Sequence, residues 1–220
     1  AMVIGLRGGI SFCEVGDRLI FLDIVEDRYF GLGSHAEAAF RRVIEGTSTL
    51  LEDSHVTRLL ENGLLVENAL SGPTVCAPPC RPTSSLVDLP ASQTSLGAVL
   101  LACKNLVLAR VRLQARGLDT SLMRVRQGST MVKKPAATVT SLRKVAAAFA
   151  LSARLMRSHD RCLVRALAIR ASLAAYGVNS RMVIAVRLRP FAAHAWVQRD
   201  EVLISDRIDE IASYTPILVL

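Results

Sequence analysis

Five of the eight prolines in this 220-residue chain, at positions 73, 78, 79, 82 and 90, fall within SGPTVCAPPCRPTSSLVDLP. Proline fixes φ and removes a backbone donor, so neither a helix nor a central strand runs comfortably through such a stretch. It is expected to be a linker over 71–95, between a module at 1–70 and a larger one at 96–220. Charge divides at the same place. Residues 1–68 carry 6 Arg and 11 acidic residues, net −5, whereas 69–220 carry 21 Lys or Arg against 8 acidic residues, net +13. This asymmetry suits two modules with different partners, the basic one attracting an acidic peptide, another protein or a nucleic acid. A hydrophobic content of 51% is enough for well-buried cores.

The longest apolar runs, such as Val145 to Leu151, fall far short of the ~18–20 residues of a membrane span. AMVIGLRGGI has no signal-peptide pattern, so a cytoplasmic protein without membrane partners is expected. Five cysteines, an odd number at irregular spacing, do not suggest structural disulfides. Cys76 and Cys80 read as loop residues, with no neighbours to complete a zinc site. No metal and no cofactor is expected. No phosphate-cradling G-x-x-x-x-G-K-[ST] loop occurs.

Before the linker, ISFCEV, RLIFLDI and RYFGL predict a three-stranded meander turned at Gly16-Asp17 and Glu26-Asp27. Ser34 with Glu37 reads as a capping box for a helix that sends Ala38, Ala39, Val43 and Phe40 to the core and ends at Gly46. TSTLLED could hold one helical turn. A second helix is expected over Ser54 to Asn62, stopped by Gly63, with Leu64-Leu65-Val66 returning as a strand. After the linker, one helix is expected up to Gly117, a second from VTSLRKV with Thr138 or Thr140 as cap, and a third from near Asp160 to Gly177. RMVIAVRL, HAWVQR and VLIS then read as strands. The fold class is α+β, helices followed by an antiparallel sheet.

Chemistry concentrates in FAAHAWVQRDEVLISD. A hairpin centred on Asp200 sets His194 opposite Asp206, with Cβ atoms ~5 Å apart. The carboxylate would take the Nδ1 proton and leave Nε2 free to exchange protons. Cys162, in the first turn of a helix, would be favoured as thiolate by the helix dipole and an adjacent imidazolium. Cysteine, histidine and aspartate in these places suit a nucleophile, a base and its orienter. The competing reading makes Cys162 core, His194 a half-exposed strand residue and Asp206 a turn residue. His159 is a rival base without an evident carboxylate, and His35 and His55 receive no role. Trp196 is read as packing on the opposite face of its strand from His194.

The run from Cys162-Leu163 through Arg165, Ala166-Leu167, Gly177 and Phe191-Ala-Ala-His-Ala-Trp196-Val to Asp206 resembles the catalytic region of lasso-peptide B proteins. These are leader peptidases of the transglutaminase-like cysteine protease group. The resemblance implies a transglutaminase-like, papain-like domain with Cys162 as nucleophile, His194 as base and Asp206 as third member. Residues 1–68 resemble, more faintly, a PqqD-like RiPP recognition element, a small winged-helix module. That implies leader-peptide binding as an added strand along Arg28, Tyr29, Phe30, Gly31 and Leu32, against Val56, Leu59 and Leu60 of the second helix. The two resemblances omit the linker and the helices up to about residue 157.

Together they imply a leader peptidase acting on a lasso precursor peptide, beside an ATP-dependent, asparagine-synthetase-like cyclase. The basic middle segment would be a docking face for that cyclase. Two alternatives stand: a transglutaminase-like acyl transferase, and a non-catalytic leader-binding scaffold. A DNA-binding winged helix is disfavoured by the acidic first module. In the basic half Arg110, Arg112, Arg116, Arg124, Arg126, Lys133 and Lys134 lack accompanying aromatics, so no nucleic-acid partner is expected.

Overall fold

The computed structural model describes residues 3–46, 53–89, 94–130, 139–155 and 162–220. The TSTLL portion of TSTLLED, together with Glu52, Lys133, Lys134, Thr138, His159 and Asp160, lies outside them. The chain divides into two compact units, Ala1–Cys76 and Ala77–Leu220.

The first unit contains β1 (Gly5–Leu6), β2 (Ile10–Val15), β3 (Arg18–Asp23), β4 (Arg28–Gly31), α1 (Ser34–Ile44), α2 (Ser54–Glu61) and β5 (Leu65–Val66). Strands β2, β3 and β4 form the expected antiparallel meander in that order, and β5 pairs antiparallel with β1. The β2–β3 turn holds only Gly16 and Asp17, with Gly16 at φ 64, a conformation open to glycine. Phe12, Phe21 and Phe40 meet at centroid separations of 5.0–5.5 Å in the core. Val56 and Leu59 of α2 close the same cluster.

The start of α1 differs from expectation. Gly33 is the N-cap without a side-chain cap bond, and Ser34 is the first helical residue. Glu37 is 5% exposed and accepts from Leu19 N–H and from the Arg18 and Arg41 guanidiniums. A buried carboxylate claimed by three donors has no reason to turn back to a helix cap. Ala38 is exposed, whereas Ala39 and Phe40 are buried and Val43 packs against the same core, as expected.

The second unit contains β6 (Ser84–Ser85), α3 (Leu96–Thr130), α4 (Val139–Leu155), α5 (Cys162–Ala175), β7 (Arg181–Leu188), β8 (Phe191–Arg199), β9 (Val202–Leu203), α6 (Ile208–Ile211) and β10 (Thr215–Val219). Its sheet runs β10-β7-β8-β9-β6, antiparallel except for the β6–β9 pair. Met182 to Val186 are all buried, as in a strand covered on both faces. Helix α5 packs on β7 and β8, and α3 and α4 pack on α5.

Three expectations change here. Gly117, at φ 73 and ψ 179, ends the first helical segment as expected, but α3 resumes beyond this kink and runs to Thr130, a segment the sequence reading did not include. Thr140 lies inside α4 rather than at its cap. The VLIS strand shortens to Val202–Leu203, and the sheet gains two edge strands that the sequence reading missed. One of them, β6, lies in the Pro-rich stretch. It is a two-residue edge between prolines, the position in a sheet that tolerates such a neighbourhood.

Candidate active site

The β8–β9 ladder pairs Gln198 with Leu203 and Arg199 with Val202, leaving Asp200 and Glu201 as a two-residue turn. Asp200 has φ 52 there, a left-handed value Asp tolerates. The register therefore sits one residue away from a hairpin centred on Asp200, and a continued ladder would face His194 with Arg207. The chain leaves the ladder after Ile204 N–H bonds Val197 O. That departure lets Asp206 turn toward the histidine.

His194 Nε2 lies 2.9 Å from Asp206 Oδ1. The nitrogen roles are thus the reverse of those expected: Nε2 meets the carboxylate, which leaves Nδ1 for the thiol. Asp206 is 7% exposed and fixed from several directions. Its Oδ2 accepts from Ser205 Oγ, which itself accepts from Val197 N–H at 3.1 Å. Its backbone carbonyl accepts from Ser85 Oγ at 2.6 Å. Ser205 and Ser85 were not foreseen, and an isolated serine in a turn or linker gives no sequence signal of such a role.

Cys162 is the first residue of α5 and is hydrogen-bonded to His194. Burial pushes its thiol pKa up, but the His194 hydrogen bond and charge, with backbone N–H groups of Ala195 and Leu163, outweigh this and hold it below the ordinary thiol value. Burial likewise opposes protonation of His194, yet Asp206 and Cys162 raise its pKa to about 10. Both shifts favour a thiolate–imidazolium pair. Cys13, by contrast, is buried and its thiol is pushed up to about 12.

Trp196 sits two residues from His194, so strand periodicity puts both side chains on one face, contrary to the expectation above. Their rings are 6.2 Å apart, and Tyr214 approaches His194 at 5.4 Å. Trp196 Nε1 donates to Gln198 Oε1, and Gln198 Nε2 donates to the carbonyls of Cys80 and Asp200. The imidazole is flanked by two aromatic rings, and the indole N–H of one of them is anchored.

In the first unit, Arg28, Tyr29, Phe30 and Gly31 form β4, an edge of the meander, with Leu32 following. Val56 and Leu59 are core residues at 0% and 4% exposure, whereas Leu60 is half-buried. His35 and His55 stack at 5.6 Å. None of the five cysteines is in a disulfide, and no group of three or more His, Cys, Asp or Glu among the described residues could hold a metal ion. No helix among them is long and apolar enough to cross a membrane.

No curated protein and no solved structure matches the chain. The model of the transglutaminase-like superfamily matches residues 105–219. The match takes in α3 and α4 as well as the strands, reaching further toward the N-terminus than the catalytic-region resemblance did. A helix-borne thiol, a strand-borne imidazole and a buried carboxylate all fall inside a match covering more than half of the sequence, and the chain belongs to the transglutaminase-like superfamily.

Proposed function

We propose that the protein is a cysteine peptidase that removes the leader from a lasso-peptide precursor. The observation that carries this reading is the alignment Cys162–His194–Asp206, in which one imidazole bonds both thiol and carboxylate. The Cys162 thiolate attacks the scissile carbonyl carbon, and the imidazolium gives its proton to the departing core amine. A thioester to the leader remains. Water then loses a proton to His194 and attacks the thioester, releasing the leader as a carboxylic acid and restoring the thiol. Asp206 orients the ring throughout.

In the same reading the acidic first unit holds the leader as a strand added beside β4, the outer strand of the meander, along Arg28 to Leu32. Leu60 would face it, with Val56 and Leu59 behind. Tethering the leader raises the effective concentration of the scissile bond at the thiol. The freed core amine would pass to the asparagine-synthetase-like cyclase.

Membership of the superfamily supports a second reading equally, because the thioester can be resolved by an amine. Incubating the full chain with a precursor encoded by a short neighbouring reading frame, with and without the cyclase, separates the two by product mass. Hydrolysis gives leader acid and free core, together one water heavier than the precursor. Transfer gives a leader joined to the amine. Binding with no reaction under either condition would contradict both and favour a scaffold.

A further inference from the structure

A cavity of about 120 Å³ lies between α3 and α5. It is separate from the thiol: its α5 wall begins at Leu167, five residues and ~7.5 Å of helix rise beyond Cys162. The Gly117 kink creates it. Arg112 and Arg124 would stand ~18 Å apart on a straight helix, yet both border one cavity because α3 changes direction between them.

Its walls are of two kinds. Leu108, Leu167 and the alanines of α3 and α5 supply apolar surface. Arg112, Arg116 and Arg124 are exposed around it, and Arg170 lines it at 3% exposure. Among the described residues lining the cavity there is no Asp or Glu. Four arginines border one concave space whose lining contains no carboxylate. Burial lowers the Arg170 pKa. Guanidinium forks match the paired oxygens of carboxylates and phosphates, and an apolar wall favours a ligand whose remainder is hydrocarbon.

We infer that this cavity binds a small organic anion, a carboxylate or phosphate head on an apolar body, at a site distinct from the catalytic thiol.

Calorimetric titration of the full-length protein with hexyl phosphate and with hexanoate tests this, using inorganic phosphate and hexanol as the separated halves and matched ionic strength throughout. Saturable one-to-one binding of at least one amphiphile is expected, the tighter one identifying the head group. Each half alone should bind about tenfold or more weakly. Arg124→Gln and Ala171→Phe, both at exposed helix positions, should each weaken binding about tenfold or more, one by removing a fork and the other by filling the space. Arg112→Gln replaces Arg124→Gln if that variant does not fold. No saturable binding up to about 10 mM would overturn the inference. So would unchanged affinity in both variants, or inorganic phosphate binding as tightly as hexyl phosphate, the mark of an adventitious ion only.

Discussion

His194 Nε2 and Asp206 Oδ1 are 2.9 Å apart although the two residues belong to no common ladder pair. The contact exists because the chain abandons β9 early and because Ser205 and Ser85 hold the aspartate in place. Asp206→Asn keeps the shape and an acceptor oxygen but removes the negative charge that holds the His194 proton. It should lower kcat ~10²–10⁴-fold with little change in KM, as read by steady-state kinetics. A proportionate rise in KM at constant kcat would assign the aspartate to substrate binding instead.

The shifts of the coupled pair fix a pH dependence. The Cys162 thiol ionises below its ordinary value and His194 holds its proton to about 10, so turnover should rise through the first titration and fall through the second. Iodoacetamide labelling followed by peptide mass spectrometry should find Cys162 reactive at the lowest pH and Cys13 the slowest of the five. In His194→Ala the Cys162 profile should move up.

Stability should follow the histidine. Its folded pKa stands above the ordinary 6.5, so its contribution is complete below pH 6.5 and is lost as pH climbs through about 10. Urea midpoints measured across that range should decline in the wild type beyond the decline seen in His194→Ala.

Trp196 is 2% exposed, packs with Val183, Ala185, Leu203 and Ile211, and flanks the His194 ring. Trp196→Ala should cost about 3–5 kcal/mol in denaturant unfolding. Ser205→Ala should cost about 1–3 kcal/mol by stranding the buried Val197 N–H, and should reduce turnover less than Asp206→Asn does.

In the first unit Glu37 ties α1 to β3 through Leu19 N–H and Arg18. Glu37→Ala should destabilise by about 1–3 kcal/mol, chiefly by stranding the buried Leu19 N–H, since the arginine partners are partly exposed and stay solvated. The effect should appear in unfolding curves of the whole chain while the labelling rate of Cys162 in the folded protein stays unchanged.

Local pattern carried the meander, the main helices and the long β7–β8 hairpin into the sequence reading, because burial imposes a period of two or 3.6 on the residues themselves. The grouping of Cys162, His194 and Asp206 was readable from their spacing and from the resemblance. Details depending on which donors claim a group were not readable. Glu37 looked like a cap because Leu19 and Arg18 are distant in sequence, and the ring nitrogens came out reversed because a one-residue register shift changes the carboxylate's approach. Gly117 was legible as a stop, but a glycine at positive φ serves equally for a final helix end and for a kink, so the segment resuming beyond it was not.

The central claim is that Cys162 forms the covalent intermediate. Intact-mass analysis of the enzyme, acid-quenched during turnover of a precursor, tests it most directly. The account predicts a wild-type adduct equal to the leader less one water, mapped to Cys162 and absent from Cys162→Ala, which does not cleave. Cleavage by Cys162→Ala at the wild-type rate, or an adduct on another residue, would contradict it.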